Sequence, residues 1–151
     1  YNCPGQIVIT GEAAAVAEAG TALKEAGARR VLPLKVSGPF HSPMMRPAGE
    51  ELAKVFAGVS MNPLKIPYVA NINAEVITDC GRIEGLLVEQ VSGSVRWQQS
   101  VETMIREGVD TFVEIGPGKT LTGFLRKIDK NVKAYHIGSW EEAVQVCEEL
   151  K

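Results

Sequence analysis

The stretch VSGPFHSPMM, residues 36–45, contains His41, one of only two histidines in the chain. An imidazole ring titrates near neutral pH, so it can accept and return a proton during a reaction. His41 follows a strand-like run and a Gly-Pro bend, and a helix-like segment begins directly after it. A histidine in this position is either a general base and acid or a side chain that hydrogen-bonds to its surroundings.

A Ser-His pair needs a nucleophilic serine within hydrogen-bond reach of the ring, usually on a sharp GxSxG elbow. The chain contains no GxSxG sequence. Ser42 is adjacent to His41, but neighbouring side chains commonly diverge, and Ser42 followed by Pro43 is typical of the start of a helix. These residues alone predict that His41 is structural, or that it is half of a dyad whose serine lies elsewhere.

The other segments whose residues could bind a ligand or catalyse a reaction have simpler interpretations. VEIGPGKT lacks the first glycine of a phosphate loop, so we predict a strand–turn–helix junction, with anion binding as the alternative. No GxGxxG motif or metal-ligand spacing occurs around His41 or His136. The basic pair Arg29-Arg30 is either a solvated turn or a docking point for an acidic partner. An acidic series is predicted to be solvated surface: Glu102, Glu107, Asp110 and Glu114.

Composition limits the class of protein. The 151 residues are 45% hydrophobic and 23% charged, with a formal net charge of -2. These values predict a globular domain and give no reason to expect nucleic acid or a membrane as partner. Three separated cysteines predict neither disulfides nor a metal pair and favour a reducing cytosol, with Cys147 in the core. The chain starts without Met and runs directly into a strand, so we expect a fragment of a longer protein.

Apolar periodicity predicts a chain in which strands and helices alternate. The predicted strands are 5–11, 29–38, 66–73, 111–116 and 134–139. The predicted helices are the segment behind Ser42-Pro43 and residues 12–27, 83–91, 97–108, 120–128 and 140–150, the last capped by Ser139. Such alternation is the pattern of an α/β fold with a largely parallel sheet.

Four segments, in one order, together resemble the malonyl-CoA:acyl carrier protein transacylases of fatty acid synthesis. They are NCPGQIVITG, ARRVLPLKVSGPFHSPMM, LVEQV…VRW and GVDTFVEIGPGKTLTGF. The resemblance implies an α/β-hydrolase-like parallel sheet, the acyltransferase fold, with an inserted ferredoxin-like α+β subdomain. Residues 1–37 would be part of the small subdomain, and residues 38–151 the C-terminal part of the large one.

The resemblance also implies roles for particular residues. His41 matches the catalytic histidine, and Gln90 matches the glutamine whose backbone carbonyl binds the other ring nitrogen. Asn2 matches a residue lining the substrate site, and Gln6 has a counterpart without an assigned role. Phe40 resembles the residue that accompanies selection of malonyl over methylmalonyl groups. The family's GHSxGE serine, its malonyl-binding arginine and the N-terminal half of its oxyanion hole are absent from this sequence.

The implied reaction is ping-pong transfer of malonyl from coenzyme A to the phosphopantetheine thiol of acyl carrier protein, without cofactor or metal, in the cytoplasm. The implied partners are the carrier protein, malonyl-CoA and the N-terminal part of the enzyme. Because carrier proteins are acidic, Arg29 and Arg30 would contribute to docking. Three alternatives remain: an acyltransferase domain of a polyketide or multifunctional fatty acid synthase, a non-catalytic domain with this fold, and a Ser-His hydrolase.

Overall fold

The structure, a computed structural model, describes all residues from 1 to 151 and contains six α-helices and four short strands. The helices are α1 (Ala13–Glu25), α2 (Arg46–Phe56), α3 (Ile83–Ser92), α4 (Trp97–Arg106), α5 (Thr120–Ile128) and α6 (Trp140–Glu149). The strands are β1 (Tyr68–Val69), β2 (Val76–Ile77), β3 (Thr111–Ile115) and β4 (Lys133–Ile137). Single 3₁₀ turns, Pro43–Met45 and Cys80–Arg82, precede α2 and α3.

The C-terminal third is a β–α–β unit followed by a helix. β3 and β4 are parallel, with Thr111 opposite Lys133 and Ile115 opposite Ile137, and α5 connects them. This confirms the predicted α/β class with a parallel sheet. The predicted cap of α6 is also confirmed, because the Ser139 hydroxyl accepts a hydrogen bond from the Glu142 amide at 3.2 Å. No helix combines the length and apolar character that a bilayer span requires.

Helices α2 and α3 pack closely, and they hold the two segments of the candidate site. Gly49 is the buried residue of α2. A Cβ atom at Gly49 would lie 3.1 Å from the Val88 carbonyl oxygen of α3, which is tighter than ordinary van der Waals contact. The absence of a side chain at Gly49 therefore sets the spacing between these two helices.

The buried core is small. One cluster consists of Ala70, Ile77 and Leu86, where the antiparallel β1–β2 hairpin meets α3. Separate apolar side chains are buried on other elements: Cys3, Val101, Leu125 and Val146. The prediction that Cys147 lies in the core is wrong, since its side chain is exposed. Val146 is the residue of α6 that is buried, and Cys147 lies about 100° further round the helix.

Two strand predictions are wrong for this structure. Segments 5–11 and 29–38 form no ladder, and the only pairing nearby is an isolated bridge between Cys3 and Gln6. Their apolar side chains are exposed, among them Ile7, Leu34 and Val36. β-branched and apolar residues fit a pleated surface, but a strand also needs a neighbour to accept its hydrogen bonds. These segments have no such neighbour here.

The middle of the chain pairs over a shorter length than the pattern predicts. Of residues 66–73, Tyr68–Val69 alone form a strand, antiparallel to Val76–Ile77, which periodicity did not predict. Ala74, in the connecting turn, has a φ of 60°. Each strand of this hairpin contributes two paired residues. One of them, Ile77, is fully buried in the cluster with Leu86 of α3.

The surface is unusually large for the mass of the chain. The 16.3-kDa chain exposes 10709 Å². A compact monomer of this mass exposes about 7,500 Å². Several large apolar side chains are exposed, with Ile66 (77%) and Ile115 (78%) among the most exposed of them. Ile115 lies on a two-stranded parallel sheet, a type that is normally covered on both faces. The exposed apolar side chains around Ile66 and on the β3–β4 sheet are therefore suited to packing against further polypeptide.

Candidate active site

His41 sits in a tight turn with an unusual backbone conformation. The Ser42 amide donates to the Pro39 carbonyl at 3.3 Å, which closes a four-residue turn with His41 at its third position. His41 has a φ of 60°, whereas Phe40 is not among the residues with positive φ. This combination is that of a type II turn, whose third position favours glycine. Histidine adopts this left-handed region more readily than most side chains, although at an energetic cost.

Ser42 occupies the predicted N-cap position but does not cap. It precedes the Pro43–Met45 turn, yet its side chain accepts no hydrogen bond from a helix amide. Instead, the hydroxyl donates to the Pro39 carbonyl at 2.7 Å, and only 3% of the residue is exposed. The predicted N-cap position of Ser42 is therefore confirmed, but its hydroxyl bonds to the preceding turn and to no helix amide.

The last turn of α3 provides an acceptor for the His41 ring. The final four carbonyls of an α-helix have no intrahelical partner. Gln90 is in this last turn: the helix ends at Ser92, so residue 94, whose amide an α-helix would pair with the Gln90 carbonyl, lies beyond the helix. The Gln90 carbonyl oxygen lies 3.0 Å from Nδ1 of His41. Two segments 49 residues apart in the chain thus meet through a side chain and a backbone carbonyl.

This contact determines which ring nitrogen is basic. A carbonyl oxygen can only accept, so Nδ1 must carry the proton and donate it to Gln90. In the neutral ring, Nε2 then holds the lone pair and is the nitrogen that can take a proton. The His41 side chain is exposed, so an incoming group has access to it.

The two histidines should have opposite neutral tautomers. Nε2 of His136 lies 2.9 Å from the Gly116 carbonyl, so this ring must donate from Nε2. In ¹⁵N-labelled chain whose imidazole rings are neutral, we expect two-bond ¹⁵N–¹H correlations to show protonated Nδ1 in His41 and protonated Nε2 in His136. A His136→Gln variant assigns the two rings. Protonated Nε2 in His41 would show that the Gln90 contact does not form in solution.

An apolar groove of about 390 Å³ opens beside this ring. Phe40 and His41 lie at one part of it, and Gln90 contributes from α3. The remaining lining side chains come from the turn before α2, from α2 and from α3: Met45, Leu52, Phe56, Leu87 and Val91. Phe40 is 48% exposed, so its ring is free to contact a group bound next to His41.

The other predicted site residues form no hydrogen bond with His41 or Gln90. Asn2 is half-buried, and its amide donates to the Gln6 carbonyl at 3.1 Å. The adjacent Tyr1 bonds to Val95 and Gln98 near the start of α4, and no hydrogen bond links Asn2 to His41 or Gln90. Arg29 and Arg30 follow α1, are exposed, and form no ion pair.

The junction after β3 is an internally capped turn. Gly116 and Gly118 have φ values of 138° and 85°, which side chains rarely adopt. The Glu114 carboxylate accepts hydrogen bonds from the Leu121 and Thr122 amides, at 3.0 and 2.7 Å, and from the Thr122 hydroxyl at 2.7 Å. An anion would need these same amides, so the interpretation as a structural turn describes this junction. Glu114 is half-buried here and is not merely solvated, contrary to prediction.

The same contacts change the acidity of Glu114. Burial acts to raise the pKa of this carboxyl, but the hydrogen bonds from the Thr122 hydroxyl, the Thr122 amide and the Leu121 amide hold it below its ordinary value. Glu114 therefore stays ionised at neutral pH and stabilises the positive end of α5.

Comparisons with known proteins all find acyl transferases. A model of the acyl transferase domain matches residues 1–146. The malonyl CoA-acyl carrier protein transacylase of Bacillus subtilis is 42% identical over 150 residues, which are 99% of this chain and 47% of that protein. The crystal structure of MCAT from Streptococcus pneumoniae superposes with a TM-score of 0.93 at 44% identity, over 99% of this chain and 48% of that one.

A third similar structure contains a partner. It is a malonyl-transacylase in complex with its type II polyketide synthase acyl-carrier protein, with a TM-score of 0.88 and 37% identity over 92% of this chain and 45% of that one. The chain spans about half the length of the relatives it matches.

Proposed function

This chain belongs to the acyl transferase domain family, and from that premise we propose that it supplies the histidine half of a malonyl-CoA:acyl carrier protein transacylase. The observation that carries the proposal is the bond from His41 Nδ1 to the Gln90 carbonyl, at 3.0 Å. It leaves Nε2 basic, as a Ser-His dyad requires. The serine would come from polypeptide outside these 151 residues, since the sequence holds no nucleophile elbow.

The proposed reaction has two half-reactions with one imidazole acting in both. Nε2 of His41 takes the serine proton as the serine oxygen bonds to the malonyl carbonyl carbon. The carbon–sulfur bond then breaks, and Nε2 gives the proton to the departing coenzyme A sulfur. In the second half, Nε2 takes the proton of the carrier's pantetheine thiol as the sulfur bonds to the acyl carbon. The bond from that carbon to the serine oxygen then breaks, and Nε2 returns the proton to the serine oxygen. The Gln90 carbonyl holds the ring in place and fixes its tautomer, as an aspartate does in a triad.

We also propose a division of the fold. Residues 38–151 are assigned to an α/β-hydrolase-like subdomain, supported by the parallel β3–α5–β4 unit. Residues 1–37 are assigned to a ferredoxin-like subdomain whose remaining strands would pair with the unpaired, largely exposed segments 5–11 and 29–38. Malonyl-CoA and the carrier's phosphopantetheine arm are the proposed substrates, no cofactor is invoked, and the proposed location is the cytoplasm.

Phe40 should determine discrimination against an α-methyl group. Phe40 directly precedes His41 in the chain and borders the same groove, where a methyl branch on the substrate would compete for space. Phe40→Ala in the assembled enzyme is expected to lower the kcat/KM preference for malonyl-CoA over methylmalonyl-CoA roughly 10-fold or more. Phe56→Leu, which changes another aromatic side chain of the same groove, is the comparison variant. An unchanged preference in the Phe40 variant would remove this residue from selectivity.

Docking of the carrier protein should depend on Arg29 and Arg30. Both are exposed and unpaired, and Lys24 in the last turn of α1 adds a further positive charge nearby in sequence. Reversal of both charges to Glu is expected to raise the KM for the carrier and to weaken its salt dependence, with the KM for malonyl-CoA unchanged. Reversal of Lys127 on α5 is the control. Unchanged carrier kinetics at low salt would place docking elsewhere.

Polyketide synthesis is the second candidate pathway. One similar structure holds a type II polyketide synthase carrier protein with its malonyl-transacylase. The same chemistry would then serve a different carrier protein. Transfer assays with both carrier types, monitored by mass change of the carrier, test the proposed function and decide between the two. Release of free malonate to water, without carrier acylation, would instead indicate a hydrolase.

A further inference from the structure

We propose that Ser42 is a positioning residue for His41, a role that rests on the proposed function of that ring. Its hydroxyl holds the turn in which His41 adopts its left-handed conformation. Ser42 is among the most buried residues of the chain, at 3% exposure, although it lies between an exposed His41 and an exposed Pro43. A buried hydroxyl in such a place needs a partner, and the Pro39 carbonyl, 2.7 Å away, is that partner.

The geometry links this bond to the ring. The Pro39 carbonyl accepts two hydrogen bonds from Ser42, a short one from the hydroxyl and a longer one of 3.3 Å from the amide. Both close the turn around His41. A backbone at φ 60° persists only where its surroundings over-determine it, and the hydroxyl bond is the stronger of the two constraints. If the turn opens, the ring leaves the Gln90 carbonyl and loses its fixed tautomer.

A merely structural hydroxyl would behave differently, and the chain offers one for comparison. Ser100 in α4 is 2% exposed and donates its hydroxyl to the Arg96 carbonyl at 2.9 Å. The two serines thus match in burial and in bond type, but Ser100 has no contact with the His41 turn. Replacement of either serine by Ala deletes the same group from an equally buried environment.

The test measures transfer kinetics in the assembled enzyme and the His41 tautomer in the chain. For Ser42→Ala we expect roughly a 10-fold fall in kcat with the KM for malonyl-CoA nearly unchanged, because misplacement of a catalytic group costs rate more than binding. The two-bond ¹⁵N–¹H correlations should show loss of the single Nδ1–H form of His41, while His136 keeps its Nε2–H form. For Ser100→Ala we expect unchanged kcat and tautomer, with a comparable fall in Tm.

Ser42→Cys decides the question if the Ala variant does not fold, since it fills the site with a weaker donor and should show the same changes. A folded Ala or Cys variant with wild-type kcat and a wild-type His41 tautomer would overturn the proposal. Equal kcat losses in the Ser42 and Ser100 variants would also overturn it, because the role would then be structural. His41→Ala in the same assay separates the two questions: near-normal transfer by that variant would refute the proposed function, whereas the tautomer measurement still tests Ser42.

Discussion

Replacement of His41 by Ala in the assembled enzyme is expected to slow malonyl transfer roughly 10²–10⁴-fold, the usual contribution of a positioned acid and base. The physical reason is that, in the proposed mechanism, one nitrogen, Nε2, handles every proton in both half-reactions. The variant loses that nitrogen together with a single exposed hydrogen bond to Gln90. Circular dichroism and thermal unfolding should therefore show that the fold is retained.

The control for this variant is the other histidine. His136 donates to the Gly116 carbonyl at 2.9 Å, and a glutamine there retains an N–H donor. His136→Gln is expected to transfer malonyl at nearly the normal rate. If His41→Ala also remained near the normal rate, the ring would have no part in the chemistry, and its contact with Gln90 would be structural.

The second large effect concerns the chain by itself. Purified residues 1–151 are expected to transfer no malonyl above background from coenzyme A to carrier protein. The chain presents a basic nitrogen but has no GxSxG serine, and a base without its nucleophile cannot form the acyl-enzyme. Carrier mass spectrometry after long incubation is the measurement, and a full-length relative provides the positive control. Robust transfer by the isolated chain would mean that a nucleophile has been overlooked.

The large exposed surface also indicates that the chain packs against further polypeptide. The chain exposes roughly two-fifths more area than a compact monomer of 16.3 kDa. The excess, of the order of 3,000 Å² on one chain, is at least as large as one partner's share of an obligate interface. Exposed apolar side chains on β3, on the segment before β1 and on the unpaired segment 29–38 provide that surface.

Helices were predictable from the sequence because their periodicity is local. Segment 12–27 contains α1, and segment 140–150 contains α6 with its Ser139 cap. Strands depend on partners remote in the chain, and this explains the errors at 5–11 and 29–38. The apolar residues there are of the predicted type, but nothing in the described chain completes their ladders. Cys147 shows that helix periodicity can also assign burial to the wrong residue. Val146 is buried, whereas Cys147, the next residue of α6, is exposed.

The candidate site was predictable only in part. Local residues left His41 undecided between a structural and a catalytic role, and the resemblance of four ordered segments singled out His41 and Gln90. The structure then places these two residues in contact. Two features had no sequence signal: the left-handed backbone of a non-glycine residue at His41, and the turn of the Ser42 hydroxyl away from the helix and onto Pro39.

The measurement that most directly tests the central claim is complementation. Residues 1–151 are mixed with a separately produced polypeptide that carries the GHSxGE serine half of a close relative, and carrier malonylation is followed by mass. We predict transfer only when both polypeptides are present, and its loss when the chain carries His41→Ala. Transfer that persists with the His41→Ala chain, or that the serine half performs alone at the same rate, would contradict the assignment of this chain as the histidine half of the dyad.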